Sequence, residues 1–241
     1  MNSYTPNNVD FTRSSDNFSE GLLRINTLNQ ALKKEFGKKV VKLSIDAGFT
    51  CPNRDGIKGF GGCTFCSSSG SGDNASNIDE QITLLSEKWP NAKYIAYFQN
   101  YSGTYAPVSK LRELYYGALD DPRIFGLAIA TRSDCIDDDC LALLDEINKK
   151  HFLWIELGLQ TIHEDSAKNL NLCHSLQDYD ETISKLNAHN IRTVTHLILG
   201  LPGESKQDMK MSVKHAVKSN PWGLKPVSYT HLRAHETKAN L

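Results

Sequence analysis

Short apolar strands alternate with amphipathic helices through most of this 241-residue chain, and that rhythm limits the folds open to it. The first β-branched run is VVKLSID, residues 40–46. KYIAYFQ (93–99), IFGLAIAT (124–131), FLWIELGLQ (152–160) and IRTVTHLILGLP (191–202) follow. Helical patterns separate them. IDEQITLLSEKW places Ile78, Ile82, Leu85 and Trp89 on one face, and YDETISKLNAH turns Tyr179, Ile183 and Leu186 inward. SKLRELYYGAL is entered through Pro107, and DDDCLALLDEINKK opens on acidic residues, which suit a helix N-terminus. Ser205 is placed to cap a further helix, with Asp208 in the capping-box position. An earlier helix is predicted over 21–36 from Leu22, Ile25, Leu28 and Leu32, with Gly37 as its stop.

Near-continuous apolar strands interleaved with helices imply an α/β fold, a parallel sheet covered by helices. A doubly wound sheet or a (β/α) barrel would satisfy five such units. No Gly-x-Gly-x-x-Gly follows the first strand, which argues against a dinucleotide-binding domain. Between the other doubly wound sheets and a barrel the pattern alone does not choose. In a barrel, ligands gather in the loops at the carboxyl ends of the strands. Here those loops are the richest in reactive residues: the segment after 46, then QNYSGTY, TRSDC, LGLQT and LGLPGE.

The first of these loops, within KLSIDAGFTCPNRDGIKGFGGCTFC, holds Cys51, Cys63 and Cys66. Eleven residues separate the first two and two separate the last pair, with Phe65 just before Cys66. Three thiolates on a [4Fe–4S] cluster leave one iron open, and an open iron can bind and reduce a small molecule. Structural zinc wants four closed ligands, and the loop has no histidine. A zinc-binding or iron–sulfur module without enzymatic activity is the alternative. Residues 1–20 show no apolar signal-peptide core, so the cysteines are expected to be reduced and the protein cytoplasmic. Cys135, Cys140 and Cys173 read as packing residues. No 18-residue apolar stretch offers a membrane span, and a net charge of −1 exerts no global pull on nucleic acid.

Taken together, Cys-x11-Cys-x2-Cys, DAGFTCPNRDG, YFQNYSGTYAP, ELGLQT and HLILGLPGES resemble the radical S-adenosylmethionine (SAM) superfamily, over about residues 25–225. Within it they are similar to the branch of the Elongator catalytic subunit, and to a small bacterial family of radical SAM proteins. The resemblance implies a partial, TIM-like (β/α) barrel of parallel strands, truncated to about five β-α units, in which Cys51, Cys63 and Cys66 hold three irons and SAM takes the fourth. Reductive cleavage of the sulfonium would then yield a 5′-deoxyadenosyl radical. It further implies that Gln99 and Asn100 meet the SAM amino group, and that Glu156 and Gln160 face its methionine or ribose. Ile198–Glu204 would receive the adenine, with Gly200 giving clearance. His196 holds a family-matching strand position, whereas His163 reads as a solvated helix-start residue and Glu204 as a helix cap. The implied partners are a reductant protein such as flavodoxin or ferredoxin, and transfer RNA modified at its wobble uridine. The basic helix end with Lys33, Lys34, Lys38 and Lys39 offers phosphate contacts or is simply solvated.

Two stretches depart from the family pattern. Relatives carry Arg-Gly after the fourth strand, where this chain has Leu172 and Cys173. Leu172 cannot pair with the SAM carboxylate, so either Arg132 after the third strand takes that role or binding is weakened. The segment 226–241, PVSYTHLRAHETKANL, has no apolar run and looks like translated adapter sequence. The expected organisation is a disordered 1–20, a core over 21–225 and a non-native tail over 226–241, irregular and exposed, with the sheet ending at five strands.

Overall fold

In the computed structural model, residues 25–67, 70 and 75–229 are described. Six parallel strands lie side by side in chain order: β1 (Val40–Ser44), β2 (Lys93–Phe98), β3 (Ile124–Arg132), β4 (Phe152–Gln160), β5 (Arg192–Leu199) and β6 (Gly223–Ser228). Helices α2 (Ile78–Ser86), α3 (Val108–Leu119), α4 (Asp138–Asn148), α5 (Glu164–Asn169) with α6 (Leu176–Ala188), and α7 (Lys206–Lys218) make the five crossovers. α1 (Leu28–Phe36) precedes β1. The curved, open sheet is the expected half of a TIM-like barrel.

Strand alternation divides the core in two. Leu153, Ile155, Leu157 and Leu159 of β4 pack toward the helices with Leu43, Phe98, Leu127, Leu144 and Tyr179. Phe152 and Trp154 of the same strand point to the other, inner face, and join Val40, Ile95, Tyr97 and Val194. Leu32 and Phe36 of α1 and Trp222 complete that second cluster, so α1 closes the floor of the inner face. Ile78, Ile82, Leu85 and Trp89 are half-buried against the larger cluster, as the helical spacing predicts.

Two expectations are corrected. The first helix begins at Leu28, not at 21: Thr27 accepts from the Gln30 amide and Gln30 bonds back to the Thr27 amide. That capping box terminates the helix and leaves Ile25 exposed, and residues 21–24 lie outside the described ones. The sheet does not stop at five strands. Gly223–Ser228 pairs with β5 from Val194↔Gly223 to Leu199↔Ser228. Its backbone register replaces the apolar pattern that a strand buried on both faces would need. As an edge strand it exposes Pro226, whose missing N–H costs nothing there. The short helix α5 begins directly after His163, the residue read as a helix start, although His163 itself is half-buried rather than solvated. The expectations for residues 1–20 and 230–241 fall outside the described residues.

Candidate functional site

The loop after β1 brings its three cysteines to the carboxyl end of the sheet. Cys51 is buried, and Cys63 and Cys66 are half-buried. The Cys66 amide donates to the Cys63 carbonyl at 3.0 Å. The neighbouring Cys66 thiol and burial push the Cys63 thiol up. Burial also raises Cys51, against the opposing pull of the Asn53 amide and the Arg132 charge. Among the described residues no three His, Cys, Asp or Glu side chains meet as ligands of one ion. Thiolates on a four-iron cluster sit on separate irons and are spaced more widely than that.

The loop is held from within and from the α5–α6 connection. Asn53 is fully buried, and its Nδ2 donates to the Cys63 sulfur at 3.5 Å and to the Asn171 carbonyl. Asn171 Nδ2 returns to the carbonyls of Gly62 (2.8 Å) and Phe60 (3.2 Å), and the Thr64 amide reaches the Leu170 carbonyl at 3.0 Å. Gly59 has to be glycine: a Cβ there would stand 2.3 Å from Asn53 Oδ1. Lys58 pairs with Asp134 at 2.8 Å. Burial opposes ionisation of Asp134, but Arg132 and Lys58 hold its pKa at about 2.

Arg132, at the end of β3, is committed to protein partners. Nε and Nη2 grip Asp134 (2.9 Å each), Nη1 donates to the Leu172 carbonyl (2.8 Å) and Nη2 to that of Cys173 (3.2 Å). The stretch where relatives carry Arg-Gly is thus itself bound by an arginine. Leu172 packs with Ile198, Leu170 and Leu201 against Cys63 and Phe65, a small apolar cluster beside the cysteines.

The other strand-end residues gather on the same rim. Gln99 is half-buried and accepts from Ser44 Oγ at 3.5 Å. Asn100 is buried, and its Oδ1 has no hydrogen-bond partner among the described residues. Gln160 takes a left-handed φ of 66°, which ends the period-two alternation of β4. Its amide folds back over Gly158, where a Cβ would lie 2.8 Å from Gln160 Nε2. Gly200 has φ 81°, and its amide donates to the Met209 sulfur. Glu204 is no helix cap: Ser205 accepts from the amides of Gln207 and Asp208. Glu204 instead accepts from Thr161 Oγ1 at 2.6 Å, its other oxygen buried without a partner among the described residues. His174 touches Ser133 Oγ at 3.2 Å, and His163 approaches the Asp208 carbonyl at 3.1 Å.

Deeper on the inner face, Glu156 is the hub of a charged network that sequence reasoning missed. Its Oε1 receives Lys42 Nζ (2.7 Å) and Trp154 Nε1 (3.2 Å). Its Oε2 receives Tyr97 OH (2.6 Å), His196 Nε2 (2.9 Å) and Lys225 Nζ (3.0 Å). Burial would raise the Glu156 carboxyl, but the His196 hydrogen bond and the two lysine charges hold it well below the usual range. Burial lowers both His196 and Lys42, and Glu156 only partly restores them. Against a carboxylate oxygen, His196 Nε2 is the donor. The signal was one charge in each of three otherwise uncharged strands, with one acid facing two bases: Lys42 in VVKLS, Glu156 in FLWIELGLQ and Lys225 in GLKPVS.

Residues 50–216 match the radical SAM superfamily, a span that includes all three cysteines and β1-distal strands through β5. The chain belongs to the radical SAM superfamily. It is 48% identical over 202 residues to YtqA of Bacillus subtilis, covering 80% of this chain and 62% of that protein. It is 37% identical over 206 residues to YhcC of Escherichia coli, 83% and 67% of the two chains. A stretch of 83 residues, 34% of this chain and 14% of the other, is 30% identical to Elongator complex protein 3 of Schizosaccharomyces pombe. This radical SAM chain thus spans less than two thirds of the length of YtqA. In fold it is similar to the radical SAM enzyme coproporphyrinogen III oxidase (HemN) of Escherichia coli. The TM-score is 0.55 at 14% identity, over 80% of this chain and 44% of that one. It is also similar to the radical SAM methyltransferase TsrM of Kitasatospora setae, a structure with cobalamin and a [4Fe–4S] cluster bound. There the TM-score is 0.51 at 13% identity, over 79% and 34% of the two chains. The superfamily's cofactors are a [4Fe–4S] cluster and SAM, those implied by the cysteine loop. Among the described residues no helix is long and apolar enough to cross a membrane.

Proposed function

We propose that this chain is the catalytic core of a radical SAM enzyme in which Cys51, Cys63 and Cys66 hold the cluster. When bound, the cluster and SAM supply a 5′-deoxyadenosyl radical able to take a hydrogen atom from a substrate. The chain's own residues make the seat for them. Asn53 and Asn171 fix the cysteine loop against the α5–α6 connection. Arg132 places a positive charge beside Cys51, which favours the thiolate that ligation requires. Leu172, Ile198 and Phe65 keep an apolar wall next to Cys63. The observation that carries the reading is Asn100 Oδ1, a buried acceptor without a partner among the described residues, on the rim the cysteines occupy. An amide oxygen in that state suits the ammonium of SAM. Gln160, folded over Gly158, offers a second amide at the next strand end but one.

The finer reading is that the substrate is the wobble uridine of transfer RNA, remodelled at carbon 5, with flavodoxin or ferredoxin as reductant. The local identity to Elongator complex protein 3 supports it. The test is anaerobic incubation of the reconstituted protein with SAM and dithionite, followed by mass spectrometry. 5′-Deoxyadenosine should form with the wild type, and Cys51→Ala, Cys63→Ala and Cys66→Ala should each abolish it. Equal turnover in any of the three would defeat the assignment.

A further inference from the structure

We infer that the inner face of the sheet carries an anion-binding subsite, made by Lys42 of β1 and Lys225 of β6, that receives a negatively charged group of the substrate. The inference rests on the radical SAM reading for the word substrate, but the subsite stands on its own geometry.

One buried carboxylate needs one counter-charge. Glu156, with its side chain 1% exposed, has two: Lys42 Nζ at 2.7 Å and Lys225 Nζ at 3.0 Å. At Glu156 two ammoniums thus share one carboxylate. Like charges drawn to one carboxylate repel, and desolvation adds to that cost. Tyr97, Trp154 and His196 already donate to Glu156, so a second lysine is not needed to satisfy its oxygens.

The lysines, unlike Glu156, open to the cleft. Their side chains are 26% and 39% exposed, and each ammonium gives one hydrogen bond to Glu156. An ammonium has three donors, so two on each remain to be shared with a ligand. Lys42 lies over the Tyr97 ring at 3.8 Å, which fixes its direction. Its Cα is two residues deeper in β1 than Ser44, the residue that touches Gln99 on the rim. The lysine pair therefore faces the space between the rim and the aromatic floor of Phe152, Trp154 and Trp222. A substrate entering from the rim would present an anionic tail, a carboxylate or a phosphoryl group, to this pair.

Inorganic phosphate and acetate, each titrated at fixed ionic strength against chloride, test the inference on the reconstituted 241-residue protein. The readout is the NMR signals of 15N-labelled lysine side chains. Saturable shifts are expected for Lys42 and Lys225 and not for Lys33 or Lys34. A preference for phosphate assigns a phosphoryl group, the reverse a carboxylate, and a response to neither overturns the subsite. Lys225→Met, on an edge strand that tolerates change, should weaken binding at least tenfold, and Lys225→Arg should largely restore it. Equal binding by Lys225→Met would overturn the inference, whatever the fate of Lys42→Met. Saturating SAM should leave the phosphate response in place. Mutually exclusive binding would give the lysines to the cofactor's carboxylate and overturn a substrate role. Cys51→Ala should lose SAM cleavage and keep the phosphate response, so failure of the cluster reading and failure of the subsite are separable.

Discussion

A carboxylate offers about four lone-pair directions, and five donors from β1, β2, β4, β5 and β6 converge on those of Glu156. Loss of its charge should therefore be felt from one edge of the sheet to the other. Glu156→Gln leaves two ammoniums without their counter-ion, and should destabilise the fold by about 3 kcal/mol, the low end for breaking a buried ion pair. Denaturant unfolding at pH 7 measures it, and a loss within the error of wild type would remove the hub role. The pH dependence has a definite sign. The folded pKa of Glu156 lies well below 4.5, so its contribution is present above the unfolded value and is lost as pH falls through the folded one. His196 is lowered from 6.5 by burial, so stability also declines as pH falls below that value. Stability should thus decrease from pH 7 to 5 and again toward 3. Glu156→Gln should flatten the second decline. A wild type more stable at pH 5 than at pH 7 would contradict the His196 assignment, and one that loses no further stability toward pH 3 would contradict that of Glu156.

Elements carry the site because loops far apart in sequence are pinned to each other. The cysteine loop is pinned to the α5–α6 connection through Asn53 and Asn171, and to the turn after β3 through Lys58 and Asp134. Asn53→Ala should release the loop at a cost of about 1–3 kcal/mol for the buried polar atoms left unpaired. It should also speed alkylation of Cys51 and Cys63 in the cluster-free protein, while Cys140, 2% exposed in the helix core, stays protected. Unchanged alkylation would mean that the loop holds its shape without this brace. The strands, most helices and the cysteine loop were legible in the chain because each is encoded locally, by apolar period, by caps and by the spacing of three thiols. The α1 start was missed because Leu22 and Ile25 continue the helical period, and only the Thr27–Gln30 capping box ends it. β6 was missed because GLKPVS lacks an apolar run, and backbone pairing to β5 makes it a strand all the same. The Glu156 network was hidden for a different reason. Its partners lie up to 114 residues from it in sequence, and nothing local says that Lys42 and Lys225 meet one acid.

At the scale of the whole molecule, one curved sheet sets two kinds of chemistry on one inner surface. Thiols and the side-chain amides of Gln99, Asn100 and Gln160 occupy its rim, and a charged layer with an aromatic floor lies beneath. β1 and β6 are the two edges of the described sheet, and the Lys42–Glu156–Lys225 bridge ties them across the concavity. The proposed function puts the cluster on that rim. The direct measurement is iron and sulfide content with electron paramagnetic resonance, on anaerobically reconstituted wild type and on Cys→Ala variants at all six cysteines. Iron and sulfide should bind in [4Fe–4S] proportion, and added SAM should alter the reduced-cluster signal, because it ligates the open iron. Cys51→Ala, Cys63→Ala and Cys66→Ala should lose the cluster, and Cys135→Ala, Cys140→Ala and Cys173→Ala should keep it. A cluster retained without Cys51, Cys63 or Cys66, or lost without Cys135, would contradict the account.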